Sequence, residues 1–206
     1  MSTRIEKPLS AMRKLPRQQR SKAMVDAIVE AAARILSDQG WAGFTTNKVA
    51  EIAGVSVGSY YQYFPDKHSL IDTIRGRHLE DCRKILKSVV KGNKSQSDFV
   101  AELADGVIAI HSVHPGLHRV LLDEAPSSET FRDPNSAFEK EYIGYYCAAV
   151  AKYRNPHSET SNDTIGIILS DAIDGIVHNA ARRGTLQTTD VRSELIRLIQ
   201  SYLSVA

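Results

Sequence analysis

Apolar side chains recur along this chain with the three- and four-residue spacing of amphipathic helices almost from end to end. The clearest early example is segment 19–39, whose apolar stripe consists of Val25, Ile28, Val29, Ala32, Ile35 and Leu36. Gly40 follows this stripe and is expected to end the helix. Because no segment shows a sustained two-residue alternation, the pattern predicts an all-α fold of about nine helices in two domains.

Two very short helices are predicted after the first one. Thr46 is expected to cap a helix over about 46–52, and Gly54 is expected to supply the positive φ of a tight turn. Ser56 then caps a second short helix over about 57–63. Helices of this length are not stable alone, so we expect them to pack on the first helix as a three-helix unit that contains a helix-turn-helix.

Longer helices are predicted for the rest of the chain. Asp66 is expected to cap the first of them, and their ranges are about 67–91, 97–113, 117–123, 135–153, 163–183 and 190–204. A polar loop is predicted over 125–135. The pattern therefore divides the chain into a flexible arm over 1–17, a helix-turn-helix domain over 18–66, and a helical domain over 67–206.

The net charge of +2 hides an asymmetry between the two halves of the chain. Residues 1–94 contain 17 Lys and Arg against 9 Asp and Glu, whereas residues 95–206 contain 9 against 15. Opposite signs suggest that only the first half meets a polyanion. Its N-terminal arm is either a solvated tail or a nucleic-acid contact, and the basic residues of the first 22 positions are Arg4, Lys7, Arg13, Lys14, Arg17, Arg20 and Lys22.

Several classes of protein are disfavoured by what the sequence lacks. No apolar run reaches the ~18 residues of a membrane helix, and the N-terminus has no apolar core of a secretory signal. Cys82 and Cys147 are far apart, so we expect free thiols in a cytoplasmic protein. A glycine-rich phosphate loop and a nucleophile elbow are also missing, so we predict no catalytic residue, no cofactor and no enzyme.

The second helix of a helix-turn-helix enters the major groove, where its early side chains meet base edges and phosphates. The residues predicted to contact DNA are Thr46, Lys48, Val57, Gly58, Ser59, Tyr61, Tyr63 and Lys67. Gly58 would let the backbone approach DNA closely, and Lys67 would add a cation at a helix N-terminus. Tyr60 and Phe64 are expected to pack inward instead, because one face of so short a helix must be buried.

Residues 45–71 resemble the DNA-binding region of the tetracycline-repressor (TetR) family, through the motif Thr-x-x-x-x-Ala-x-x-Ala-Gly-Val-Ser-x-Gly-x-x-Tyr-x-Tyr-Phe-x-x-Lys. The resemblance covers about residues 17–75 and adds Asn47 to the expected DNA contacts. It implies a homodimeric bacterial transcriptional regulator, usually a repressor that a small-molecule effector releases from a palindromic operator. A transcriptional activator and a ligand-independent DNA-binding regulator of the same fold stay open as alternatives.

The resemblance also implies that the last two long helices form the dimer interface. The residues predicted to lie in it are Ile165, Ile168, Leu169, Ala172, Ile173, Ile176, Leu195 and Leu198. The alternative is that these apolar residues form an internal core, since a helix that is apolar around much of its circumference is buried in either case.

An effector is expected among the middle helices, in a largely apolar pocket with a few polar groups. The candidate residues are His78, Cys82, Val107, His111, Leu121, Tyr142, Tyr146 and Asp174. The tyrosines favour a flat or hydrophobic effector, although each candidate could equally be ordinary core or surface. His111, His114 and His118 are separated by the helix-breaking Pro115-Gly116, so the sequence predicts no metal site.

Overall fold

A computed structural model of the chain describes residues 12–91, 93–125 and 137–205. Over these ranges the chain is helical between short connections, which confirms the predicted all-α fold. The helices are α1 (Gln19–Gly43), α2 (Thr46–Ile52), α3 (Val57–Tyr63), α4 (Lys67–Val90), α5 (Gln96–Val113), α6 (Leu117–Arg119), α7 (Ala137–Tyr153), α8 (Asn162–Arg182) and α9 (Thr189–Val205). A π-helical turn (Val120–Glu124) follows α6. Among the described residues, no helix is both long and apolar enough to cross a lipid bilayer.

The turn that joins α2 to α3 has the local signals expected of it. Gly54 adopts a φ of 67°, a conformation that glycine reaches without steric cost. The hydroxyl of Ser56 accepts a hydrogen bond of 3.0 Å from the backbone N–H of Ser59, which caps α3. Asp66 likewise accepts from the N–H of Ser69 at 2.8 Å, at the start of α4. These three sequence predictions are confirmed.

The cap of α2 lies one residue earlier than predicted. Thr45, not Thr46, has the extended backbone of a cap residue, and its hydroxyl accepts from the N–H of Lys48 at 3.2 Å. Two adjacent threonines offer the same hydroxyl, and the cap is the residue whose backbone has not yet turned helical. The prediction for Thr46 was therefore wrong, and its hydroxyl is available for another contact.

The described residues form two compact units. The first takes its residues from Met1–Arg77 and Gly116–Ser128, and the second from His78–Pro115 and Glu129–Ala206. The division therefore falls within α4, beyond the boundary predicted at residue 66, and the first unit gains a segment from later in the chain. That segment is held by hydrogen bonds from the N–H of Gly116 to Ser37 Oγ (3.2 Å) and from Arg75 Nη2 to the carbonyl of Leu121 (2.7 Å).

The core of the first unit is formed by α1, the short helices that pack on it and the start of α4. Tyr60 and Phe64 are fully buried there, as predicted for the inward face of α3. Helix α1 bends at the buried Gly40, where φ is 67°, before its last turn ends at Gly43. The N–H of Trp41 then donates to Glu124 Oε2 at 3.0 Å, so the π-helical turn fastens the end of α1.

The core of the second unit lies among α4, α5, α7, α8 and α9. Helices α7 and α8 approach closely at Gly166, because a Cβ there would lie only 2.8 Å from Cys147 Sγ and 3.0 Å from the Cys147 backbone nitrogen. On the outside of this unit, Arg192 of α9 forms an ion pair with Asp105 of α5, with Nε and Oδ1 2.5 Å apart.

The eight residues predicted to form a dimer interface separate into two groups. Ile165, Leu169, Ile173 and Leu195 are at most 1% exposed in the single chain, where they pack in the core of the second unit. Their side chains are not available to a partner, so this part of the prediction is withdrawn. The outward group is Ile168 (47% exposed), Leu198 (38% exposed) and the half-buried Ala172 and Ile176. We call these four residues the outer apolar face of α8 and α9.

Candidate functional site

The first turn of α3 presents a small exposed surface to solvent. Val57 is 38% exposed and Tyr61 is 40% exposed, while Gly58 between them is also exposed and Ser59 is half-buried. The neighbouring Tyr60 is fully buried, and its hydroxyl donates to the carbonyl of Asp66 at 3.3 Å. The short helix therefore divides as predicted, with one face in the core and one face free to meet a ligand.

Gly58 has no evident role in the fold. A Cβ at this position would have only Ser56 Oγ within 4 Å, at 3.7 Å, and its φ is not positive. Gly54, by contrast, is required by its φ of 67°. Because glycine weakens a helix by roughly 0.5–1 kcal/mol relative to alanine, packing among the described residues does not account for a glycine at position 58.

Helix α2 places further polar groups beside this surface. The hydroxyls of Thr46 and Tyr61 share a hydrogen bond of 3.3 Å, which links the start of α2 to the exposed side of α3. Asn47 is exposed next to Thr46, and Lys48 is half-buried with its ammonium bonded to the side chain of Gln39. The predicted contacts on α2 and α3 are thus brought together on one unit.

Tyr63 and Lys67 make more contacts within the fold than the sequence suggests. Tyr63 is 6% exposed and packs in the core of the first unit. The ammonium of Lys67 donates to the carbonyl of Phe44 at 2.6 Å and lies 5.6 Å from the ring centres of both Trp41 and Phe44. Their phosphate contacts stay predictions, and both residues also stabilise the end of α3 and the start of α4.

The described part of the N-terminal arm is attached near the end of α3. The N–H of Arg13 donates to the carbonyl of Tyr63 at 2.8 Å, and Met12 packs against the core of the first unit. The side chains of Arg13, Lys14 and Arg17 are exposed, so three cations accompany the candidate DNA surface. Residues 1–11 of the predicted flexible arm, with Arg4 and Lys7, lie outside the described residues.

In the second unit the structure brings together most of the residues predicted to bind an effector. The thiol of Cys82 lies 3.5 Å from His78 Nε2, one helical turn away on α4. The rings of His78 and His111 meet edge to face with centres 4.9 Å apart. Tyr142 and Tyr146 form a similar pair on α7 at 5.6 Å. These contacts place titratable and aromatic groups of three helices within one interior region.

Burial controls the charge of this region. Burial, and after it the charge of His178, lowers the pKa of His111 to about 4, so its ring is neutral near pH 7. Burial also raises the pKa of Tyr142 well above its usual value, with smaller contributions from Tyr146 and Asp174. His111 and Tyr142 are therefore neutral hydrogen-bonding groups at neutral pH, with Asp174 close enough to influence both.

One of the predicted effector residues lies elsewhere, and one residue was missed. Val107 is buried in the same core as Cys82 and Tyr142, and its carbonyl accepts a hydrogen bond from His111 Nδ1 at 2.7 Å. Leu121 lies in the core of the first unit. His178 was not predicted, yet its Nε2 is 3.1 Å from His111 Nε2. Its spacing of one helical turn from Asp174 was the available signal.

Comparison with known proteins shows the same fold in other regulators. The chain is 26% identical over 122 residues to the nucleoid occlusion factor SlmA of Haemophilus ducreyi, which is 57% of each chain. It thus spans about 57% of the length of the curated relatives it matches. The fatty acid degradation regulator FadR of Bacillus halodurans has a similar structure, with a TM-score of 0.71, 16% identity, and coverage of 87% of this chain and 94% of that one. A TetR-family transcription regulator from Marinobacter aquaeolei VT8 matches with a TM-score of 0.68, 15% identity, and coverage of 91% and 99%.

Two family models match the chain, one over an N-terminal range and one over a C-terminal range. The model described as "Bacterial regulatory proteins, tetR family" matches residues 28–74, which include α2 and α3. The model described as "Tetracyclin repressor-like, C-terminal domain" matches residues 97–203, more than half of the chain. The family is one of transcription regulators rather than enzymes. This chain therefore belongs to the TetR family of bacterial regulatory proteins.

Proposed function

We propose that this protein is a homodimeric, sequence-specific DNA-binding transcriptional repressor. It acts on a palindromic operator at the nucleoid of a bacterial cell, and a small-molecule effector bound in the second unit releases it. The observation that carries the DNA-binding part is the exposed first turn of α3, where a Cβ at Gly58 would meet only Ser56 Oγ, at 3.7 Å. Opposite charges in the two halves of the chain agree with it, because only the first half is basic.

The exposed groups divide naturally into base-reading and phosphate-binding roles. The methyl groups of Val57 could contact a thymine methyl, and the hydroxyl of Ser59 can donate or accept at a base edge. Asn47 and Tyr61 are exposed polar groups suited to phosphate oxygens. Because Gly58 has no side chain, it does not hold α3 away from the DNA, and the neighbouring groups can reach the groove together.

An electrophoretic shift on the DNA upstream of the protein's own gene tests the proposal. We expect a discrete complex with this DNA and a weaker, salt-sensitive association with unrelated DNA. Adding candidate hydrophobic or aromatic effectors should dissociate the discrete complex. If unrelated DNA is bound equally well at every salt concentration, sequence-specific regulation is contradicted.

The hydroxyl of Tyr61 is expected to contribute one hydrogen bond to the complex. Replacing Tyr61 with phenylalanine should weaken operator binding by about 1 kcal/mol, or roughly fivefold, as measured by fluorescence anisotropy. The matched control is Tyr145→Phe, which removes a tyrosine hydroxyl bonded to Glu141 in the second unit. That control should bind as the unchanged protein does. Equal affinities for Tyr61→Phe and the unchanged protein would remove Tyr61 from the interface.

The cations of the arm are expected to appear in the salt dependence of binding. Replacing both Lys14 and Arg17 with glutamine should lower the slope of log affinity against log salt by up to about 2, because each phosphate contact releases about 0.9 counterion. The control replaces Lys87 and Lys91 with glutamine. These two exposed lysines lie in α4 and just after it, so the control removes the same charge from the second unit. An unchanged slope for the arm variant, or an equal change in the control, would argue against contact by the arm.

The outer apolar face of α8 and α9 is expected to hold the dimer together. Replacing both Ile168 and Leu198 with lysine should give a monomer in sedimentation velocity, because two exposed apolar side chains would become charged within the interface. The control Val113→Lys changes a side chain that is 68% exposed at the end of α5 and should leave the dimer intact. A monomer for the unchanged protein would refute the proposed homodimer.

Each of the two alternative kinds of DNA-binding regulator would give a result different from that of the proposed repressor. One alternative is a ligand-independent DNA-binding regulator. A regulator of that kind should keep its complex in every effector trial. A transcriptional activator should raise expression of the adjacent gene when bound, whereas the proposed repressor should lower it.

A further inference from the structure

Three imidazoles from three different helices converge inside the second unit. His78 comes from α4, His111 from α5 and His178 from α8. Each offers a ring nitrogen, and these nitrogens all lie within 4.8 Å of one another. The ring centres of His111 and His178 are 5.0 Å apart, close to the 4.9 Å between His78 and His111. His111 is buried and the other two are half-buried, so the group is enclosed by protein.

The hydrogen bond of His111 aims its second nitrogen into the group. Its Nδ1–H donates to the carbonyl of Val107 at 2.7 Å, so Nε2 is the acceptor in its 3.1 Å contact with His178 Nε2, and the same electron pair could bind a metal. A backbone carbonyl that holds the outer nitrogen is the usual arrangement behind a metal-binding histidine.

The spacing of the nitrogens suits a small tetrahedral ion. His111 Nε2 and His178 Nε2 are 3.1 Å apart. Two ligands at 2.0–2.1 Å from a tetrahedral zinc ion lie about 3.3 Å apart, so little movement is needed. The ring nitrogen of His78 lies within 4.8 Å of both, and it would move closer to them on binding.

We propose that His78, His111 and His178 bind a divalent transition-metal ion of the zinc class. Imidazole ligands favour zinc, copper and nickel over magnesium and calcium, which prefer oxygen ligands. The inference concerns the second unit and does not depend on the proposed DNA binding.

Titration calorimetry of the full chain with Zn²⁺ tests the site, after the protein has been freed of metal with a chelator. We expect one ion per chain, and His111→Gln should lower the affinity at least about a hundredfold, because even partners outside the coordination sphere change affinity 10- to 100-fold. The control His157→Gln removes an exposed histidine from the loop after α7 and should change nothing.

A second ion and a second variant keep the test decisive. Co²⁺ in place of Zn²⁺ should give the strong visible absorption of a four-coordinate ion in the unchanged protein and lose it in His111→Gln. If His111→Gln does not fold by circular dichroism, His78→Gln at its half-buried position provides the same comparison. No stoichiometric binding, a six-coordinate cobalt spectrum, or unchanged affinity in the folded variant overturns the proposal.

Discussion

Replacing Gly58 with alanine is expected to weaken operator binding at least about tenfold, which corresponds to about 1.4 kcal/mol. The same change should raise the free energy of unfolding by about 0.5–1 kcal/mol, because alanine favours a helix over glycine. A Cβ at position 58 meets nothing closer than Ser56 Oγ at 3.7 Å, so the folded chain accepts it without strain. The added methyl group instead occupies the space through which α3 would approach DNA.

The control for this experiment is Gly76→Ala. Gly76 lies in α4, belongs to the same unit and is exposed, and no atom lies within 4 Å of the position that its Cβ would occupy. Its replacement should give a similar gain in stability with no change in operator affinity. Urea unfolding and fluorescence anisotropy measure the two quantities separately. If Gly58→Ala binds the operator as tightly as Gly76→Ala, α3 does not approach DNA through Gly58.

Replacing Gly116 with alanine is expected to lower the free energy of unfolding of the first unit by about 2–3 kcal/mol. A Cβ at Gly116 would lie 2.2 Å from the carbonyl oxygen of Ser37 and 3.0 Å from its carbonyl carbon. These are backbone atoms of α1, so they cannot rotate aside as a side chain would. Relief requires the segment that begins at Gly116 to move away, which also weakens the hydrogen bond from its N–H to Ser37 Oγ.

Urea unfolding of Gly116→Ala beside Gly76→Ala checks this prediction. Both variants add one methyl group to a glycine of the first unit, and only Gly116 meets backbone within contact distance. We expect a lower midpoint for the first and a slightly higher midpoint for the second. Equal midpoints would mean that the packing of this segment on α1 is not close in solution.

The two glycine variants also separate a DNA contact from a structural effect. Gly116→Ala should weaken operator binding only to the extent that it unfolds the first unit, so affinity and stability should fall together. Gly58→Ala should change them in opposite directions. This difference in sign is the reason that Gly58 is the sharper probe of the DNA surface.

The helix-turn-helix could be predicted from sequence because its signals are local. Gly54 supplies a positive φ, and Ser56 caps the helix that follows it, within a few residues of each other. The division of α3 into a buried Tyr60 and an exposed Tyr61 followed from the need to bury one helical face. The cap of α2 was misplaced by one residue only because Thr45 and Thr46 carry the same hydroxyl.

The second unit was less predictable because its contacts join distant parts of the chain. The apolar residues of α8 surround much of the helix, so the pattern did not separate Ile165, which faces the core, from Ile168, which is 47% exposed. The histidines show the same difficulty. His111 also lies beside His178, 67 positions later, and proximity along the chain gave no sign of that contact.

Selection of binding sites from a randomised duplex library with the purified full chain tests the central claim most directly. A homodimer that reads DNA through α3 should enrich a pseudo-palindromic sequence, with half-sites centred about 10 base pairs or a whole multiple of that apart. Gly58→Ala should lose most of this enrichment, while Gly76→Ala should keep it. A library that remains random after selection with the folded, unchanged protein would contradict the claim that this chain recognises a DNA sequence.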